Sequence, residues 1–349
     1  MIQNILSEYG LVVNEDDVKL FGNGLINHTW VVNADGNKYI LQRINHHIFK
    51  NPVDIANNIS AIAAYLSLHY PQYPFTKPQQ TKSNEEMVYL PEEGYFRLFP
   101  FVKNSHTIDV VNAASEAYEA AKQFGCFNKL LADFPTENLQ VTLPDFHNLS
   151  LRYKQFEEAL ELGNEQRIAQ AIKTINFLKE QRNIAILYEQ ICSHKNFKIR
   201  VTHHDTKISN VLFNADMKGI CVIDLDTVMP GYFISDVGDM MRTYLSPVSE
   251  EEKDFSKIEI RNDYFKAIAD GYLSEMNEEL SATEKKFFVY AGKFMIYMQS
   301  LRFLTDYLNN DIYYGAKYEG HNLVRANNQM VLLQKLIEKE IVLQKMVEL

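Results

Sequence analysis

The sequence predicts an α+β chain in two parts: a small antiparallel β-sheet with one helix, then a larger, mainly helical part. Three observations predict it. Alternating, β-branched runs broken by glycine-containing turns are concentrated before about residue 102. From Thr107 onward, stretches with apolar residues every three or four positions dominate. Set among those helical stretches are a short strand, Lys198 to Thr202, a polar loop containing His203-x-Asp205 and Asn210, and a hairpin ending at Asp224. The expected domains are residues 1–102 and 103–349.

Residues 1–20 read as a short helix and a lead-in. Phe21 to Val32 reads as strand, glycine-containing turn and strand. Asp35-Gly36-Asn37 makes the next hairpin turn, and Lys38 to Ile44 a further strand. Asp54 to Tyr70 has helical periodicity through Ile55, Ile59, Ile62, Ala63 and Leu66, so it is expected to back the sheet. Pro71, Pro74 and Pro78 mark a loop. Met87 to Leu90 and Tyr95 to Phe99 read as the last two strands, and Pro100-Phe101-Val102 as the connection to the helical part.

In that second part, Thr107 to Phe134 reads as one amphipathic helix, with Gly125 weakening its middle. Phe146 to about His194 reads as two helices broken near Gly163-Asn164, and His147 as a surface or capping residue. Asp236 and Asp239 sit at a helix start, where either could cap. Thr283 to Leu308 reads as one long helix. Arg302 lies seven residues after Met295 and four after Met298, so it shares their apolar face and needs a partner there. Asp306, one turn on, is the plain choice. His321 to Met346 reads as a packing helix.

The central stretch places a carboxylate on a loop, a carboxamide five residues on, and a second carboxylate at the tip of the next hairpin strand. Phosphoryl transfer to a hydroxyl uses that set. One Asp accepts the hydroxyl proton, while an Asn and a second Asp hold Mg²⁺ against nucleotide phosphates. The spacing matches the one known from protein kinases. His204-Asp-Thr-Lys-Ile-Ser-Asn-Val and Val222-Ile-Asp-Leu-Asp-Thr-Val-Met-Pro-Gly231 resemble the aminoglycoside phosphotransferase/choline kinase superfamily, and within it the N-acetylhexosamine 1-kinases. The resemblance runs from about Phe21 to about Gly315. It implies a two-lobed protein-kinase-like fold and transfer of the γ-phosphoryl of ATP to a small-molecule hydroxyl.

On that reading Asp205 orients and deprotonates the acceptor, His203 supports the loop, and Lys207 neutralises charge near the γ-phosphate. Asn210 and Asp224 hold Mg²⁺, with Asp226 either behind them or on the metal. The resemblance makes Asp236 a buttress of the catalytic loop. Gly22 and Gly24 let backbone amides approach phosphates, although Asn27 stands where a third glycine would complete the pattern. Protein kinases place a Lys on the third strand, whereas this chain has Gln42-Arg43. Only one of these two faces inward, and Arg43 is assigned as the phosphate-side cation; a solvated strand-end Arg is the plain alternative. The resemblance makes the backbone near Phe101 and Val102 the hinge that holds adenine. It likewise makes Arg302, Tyr313 and His28 contacts of a sugar acceptor.

The chain has 349 residues, enough for two parts with a sizeable core. Hydrophobic content of 46% and charged content of 23% are ordinary for a globular protein. A net charge of −10 disfavours nucleic acid and anionic membrane as partners. The three cysteines, Cys126, Cys192 and Cys221, show no pairing pattern and suggest a reducing, cytoplasmic setting. No signal peptide, spanning segment or Walker A motif is evident. The expected function is an ATP- and Mg²⁺-dependent kinase acting as a monomer or weak homodimer. Its expected acceptor is the anomeric hydroxyl of N-acetylglucosamine or N-acetylgalactosamine. A kinase of choline, an aminoglycoside or homoserine is the alternative, and a catalytically dead nucleotide-binding scaffold the rival from another class.

Overall fold

A computed structural model describes residues 1–21 and 27–347. In chain order the main elements are α1 (Ile2–Glu8), β1 (Val18–Leu20), β2 (His28–Ala34), β3 (Asn37–Ile44), α2 (Pro52–His69), β4 (Val88–Leu90), β5 (Gly94–Pro100) and α3 (Ala114–Leu130). Then come α4 (Leu149–Leu162), α5 (Glu165–Gln170), α6 (Ile172–Glu180), α7 (Asn183–Ser193), β6 (Arg200–Thr202), β7 (Val211–Phe213), β8 (Gly219–Val222) and β9 (Met229–Gly231). The chain ends with α8 (Phe233–Tyr244), α9 (Asn262–Met276), α10 (Ala282–Lys286), α11 (Phe288–Leu308) and α12 (His321–Val347). The fold is α+β, with a small antiparallel sheet in one lobe and a larger helical lobe.

Two compact units form. One comprises Met1–His106, Asp133–Pro144 and Leu212–Pro230; the other comprises Thr107–Ala132, Asp145–Val211 and Gly231–Leu349. The first unit thus includes two distant segments that a single cut at residue 102 leaves outside it. His106 and Phe213 join one of those segments to the rest by exchanging backbone hydrogen bonds of 3.0 and 2.9 Å.

In the first unit the strands run in the order β1-β2-β3-β5-β4, each neighbouring pair antiparallel. Leu41 lies opposite Leu98, and Gln42 opposite Arg97. Side chains alternate across a strand, so these two pairs belong to opposite faces. The apolar face, with Val32, Leu41, Phe96 and Leu98, is sealed by Ile5, Leu6 and Leu11 at the N-terminus. The other face carries the polar Gln42–Arg97 pair. Helix α2 buries Ile55, Ile59, Ile62 and Leu66. Its Asn58 also donates to the carbonyls of Gln140 (2.8 Å) and Val228 (3.0 Å). It therefore ties down both inserted segments of this unit.

In the second unit α11 is the central helix, with Phe294, Met295, Tyr297, Met298, Leu301 and Leu304 all buried. Each such side chain contributes roughly 1.5–3 kcal/mol of burial. Helix α8 approaches it closely at Gly238, where a Cβ would stand 2.4 Å from the Ala291 carbonyl oxygen. Three expected elements differ in extent. Helix α3 starts at Ala114 because Glu116 reaches back to the backbone N–H groups of Asn112 and Ala113. Phe146 to His194 holds four helices, with Asn164 capping α5 through the Arg167 N–H. The predicted 283–308 helix is divided at Phe287. The short first piece is held by a capping box between Ser281 and Glu284, whose carboxylate also pairs with buried Arg200.

Candidate active site

In the second unit, β6 delivers the chain into a loop whose backbone is held by carboxylates. Asp236, buried in the first turn of α8, accepts from the N–H of His203 at 3.0 Å and of His204 at 2.8 Å. Asn128 of α3 donates to the same carboxylate at 3.2 Å and to the Val201 carbonyl at 3.0 Å. Asp239, one turn along α8, accepts from the Thr206 N–H at 2.9 Å, and Tyr244 donates to the Thr206 carbonyl at 2.5 Å. Neither acidic residue is a helix cap: both hold the loop. His204 adopts φ +64°, a conformation that persists where surroundings over-determine it. Gly231 makes room for that turn, since a Cβ there would lie 2.3 Å from Thr202 Oγ1 and 2.5 Å from His204 Nε2.

The loop presents Asp205, its carboxylate about a fifth exposed and paired with Lys207 Nζ at 3.0 Å. Burial pulls the Lys207 ammonium down, but Asp205 and Asp239 more than offset it, and its pKa is raised. Asn210 donates its Nδ2 to the Asp205 carbonyl at 2.8 Å, which turns Oδ1 the other way. His203 is fully buried, its ring edge-on to Phe124 at 5.2 Å. Its Nδ1 accepts from the Asp205 N–H at 3.4 Å.

A charged chain leads away from Asp239. Arg242 pairs with Asp239 (3.0 Å) and Glu250 (2.8 Å), and Glu250 pairs in turn with Arg325. Burial pushes the Asp239 carboxyl up despite Arg242. Burial would also raise Glu250, but Arg242 and Arg325 outweigh it and hold its pKa below the ordinary glutamate range. Arg242 is thus a buried junction and not a surface ion pair.

Arg302 and Tyr313 come together, as the sequence suggested. The Arg302 guanidinium lies 5.7 Å from the Phe146 ring, 6.0 Å from Tyr313 and 5.5 Å from Tyr314. The pairing of Arg302 with Asp306 does not form. Asp306 instead accepts from the N–H groups of Tyr313 (2.7 Å) and Tyr314 (2.9 Å), which fixes the loop after α11. Arg152, Arg302, Tyr313 and Tyr314 help to line a cavity of about 440 Å³. His147 is half-buried, and Asn148 is the residue that caps α4. The His147 ring stacks on Phe146 at 4.4 Å and lies 5.2 Å from His204, which connects the Arg302 cluster to the catalytic loop. Burial, with His204, Arg302 and Arg242 nearby, holds its pKa well below the ordinary histidine value.

The first unit holds the remaining assigned residues. Gly22 and Gly24 lie outside the described residues. Asp224 is exposed and left-handed, with φ +60°, at the end of β8. Asp226 is buried and ion-paired with Arg97 at 2.6 Å. Arg43 is half-buried and engaged by Glu93, through an ion pair of 3.0 Å and a hydrogen bond of 2.5 Å to its carbonyl. His28 is exposed and opposite Arg43 in the β2–β3 register. Phe101 donates its N–H to the Lys38 carbonyl (3.1 Å), and the Val102 carbonyl accepts from Ser105 Oγ (2.7 Å). Arg97 and Arg325 were missed in the sequence because their partners are remote: Gln42 and Asp226 lie 55 and 129 residues from Arg97, and Glu250 lies 75 from Arg325.

The chain matches the phosphotransferase enzyme family over residues 17–268, and it belongs to that family. Among solved structures it is similar to an aminoglycoside phosphotransferase from Alicyclobacillus acidocaldarius, at 12% identity and TM-score 0.63, covering 99% of this chain and 96% of the other. It is also similar to an amicoumacin kinase solved with AMP-PNP, Ca²⁺ and Ami, at 14% identity and TM-score 0.62, covering 92% and 89%. A choline kinase from Cryptosporidium parvum matches at 16% identity and TM-score 0.53, covering 96% and 92%. At these identities the likenesses show the fold. Among the described residues no helix is long and apolar enough to cross a membrane.

Proposed function

We propose that this phosphotransferase moves the γ-phosphoryl of ATP to the anomeric hydroxyl of an N-acetylhexosamine, giving a sugar 1-phosphate. The observation that carries the acceptor class is Arg302. Choline-type acceptors need an aromatic cage for their cation. Here Phe146, Tyr313 and Tyr314 surround this chain's own guanidinium, and Arg152 faces the same cavity. A cationic acceptor would meet two guanidinium groups there, beside the carboxylates of Glu158 and Asp306. A neutral sugar offers hydroxyl and amide oxygens that guanidinium groups can bond and a ring face that tyrosines can cover.

The residues of the loop supply the rest. Asp205 would accept the hydroxyl proton, with Lys207 fixing its carboxylate. Asn210 Oδ1 in the second unit and the exposed Asp224 carboxylate in the first are each a hard oxygen donor of the kind Mg²⁺ takes. Mg²⁺ held by such donors would neutralise charge on the nucleotide phosphates. ATP consumption across a panel of hexosamines, hexoses, choline and aminoglycosides tests the reading. N-acetylhexosamines should be turned over, and chelator should abolish the activity until Mg²⁺ is restored. Turnover confined to cationic acceptors would overturn the acceptor class.

A further inference from the structure

The polar face of the sheet carries a charged pair for which phosphoryl transfer has no direct use. Arg97 and Asp226 meet at 2.6 Å with side chains only 2% and 3% exposed. Arg97 also donates twice to Gln42 Oε1, at 3.1 and 2.8 Å, and its guanidinium lies 5.0 Å from the Phe99 ring centroid. The other Asp226 carboxylate oxygen accepts from Asn27 at 2.8 Å, and its backbone carbonyl accepts from Thr142 Oγ1 at 2.7 Å. Asp226 is therefore held by the sheet, by Asn27 and by the 133–144 segment together. Immediately after it, Val228 closes the turn onto the Leu225 carbonyl and gives its own carbonyl to Asn58.

At the other end of that turn stands Asp224, exposed and left-handed. A buried ion pair is a weak source of net stability, because desolvation offsets much of the attraction; its better-attested use is to fix one geometry. Arg97 is too enclosed to reach a nucleotide phosphate itself. Arg43, the more open cation, is engaged by Glu93. We propose that Arg97 and Asp226, ordered by Gln42 and Asn27, are positioning residues that hold the Leu225–Thr227 turn and so aim the Asp224 carboxylate at a divalent cation accompanying a nucleotide. This rests on the phosphotransferase reading and adds to it the device that sets the metal ligand.

The test removes both charges at once, as Arg97→Met with Asp226→Leu, so that no buried charge is left alone. Binding of Mn²⁺ in the presence of ADP is followed by its paramagnetic resonance signal, and metal-free ADP binding by calorimetry. Residues that orient a metal ligand typically cost about 10–100-fold in metal affinity when removed. That loss is expected here, with metal-free ADP binding little changed. A folded double variant that binds Mn²⁺ as the wild type does would overturn the proposal. Should the double variant fail to fold, Arg97→Lys decides: it keeps the charge and loses the fork. Weakened Mn²⁺ binding at unchanged melting temperature supports positioning, and unchanged binding overturns it. A wild-type protein showing no Mn²⁺ binding with ADP would instead defeat the phosphotransferase reading, before any variant is compared.

Discussion

Asp205 and Arg302 are the residues whose removal should separate chemistry from binding. A general base contributes roughly 10²–10⁴-fold, about 3–5 kcal/mol at ~1.36 kcal/mol per decade. Asp205→Asn should lower kcat within that range while nucleotide binding survives, read by calorimetry with ADP. For the proposed acceptor, an anomeric hydroxyl is comparatively acidic and the transition state loose, which favours the lower end. Near wild-type turnover would remove Asp205 from the mechanism. Asp224→Asn should weaken Mg·ATP binding as well as turnover. For Arg302, the aromatic setting makes a distinct prediction: Arg302→Ala raises the acceptor KM far more than the ATP KM. Arg302→Lys should not rescue it fully, because an ammonium does not stack as a planar guanidinium does. A variant that merely lost stability, with both KM values unchanged, would return Arg302 to a packing role.

The first turn of α8 is where an element holds the catalytic loop. Asp236 is a buried acceptor for two backbone N–H groups and for Asn128. Leaving a buried donor without a partner costs about 1–3 kcal/mol. Asp236→Ala should therefore lower unfolding free energy by several kcal/mol in a urea titration and reduce turnover even where the protein stays folded. Full activity at native stability would show that the loop holds itself. Part of this was legible in the sequence: Ser235-Asp-Val-Gly-Asp239 reads as a helix start, and the resemblance implied the buttress. Its capping alternative was not separable there, since capping and buttressing ask for the same residue type at the same place. Only the path of β6 beside α8 distinguishes them. The helix breaks at Ala171 and Phe287 were hidden for a related reason: apolar periodicity continues through them.

At the scale of the whole molecule, buried carboxylates set the response to acid. Burial opposes ionisation of Glu250 and Glu284, but Arg242 and Arg325 for the first, and Arg200 with backbone donors for the second, lower both pKa values. A carboxylate depressed in the folded state stabilises above its unfolded pKa, and that contribution is lost as pH falls through its folded pKa. His147 acts in the same direction at higher pH. It stays neutral when folded, so stability declines once pH drops below the ordinary histidine value of about 6.5. Melting temperature should accordingly fall in two stages on acidification. His147→Gln should flatten the upper stage and Glu250→Gln the lower one. A melting profile unaltered by either change would mean that these groups do not govern acid stability.

The sequence by itself determined the α+β class, the order of sheet before helices, and the loop from His203 to Asn210 with Asp224 beyond it. Those features are local: alternation, helical period and residue spacing are all written within about ten to twenty neighbours. Arg302 stood out by its spacing on an apolar helix face, whereas Tyr313 was reached only through the family resemblance of the run that follows. Tertiary structure alone decided which charges meet. Whether Gln42 or Arg43 faces inward, and that Gln42 then orders Arg97 against Asp226, depends on strand register and on a segment inserted from residues 212–230. That His147 stacks beneath the Arg302 cluster, and that Asp306 holds a loop and leaves Arg302 to three aromatic rings, are likewise matters of packing. Pairing energies depend on distance and burial, and neither is encoded at any one position in the chain.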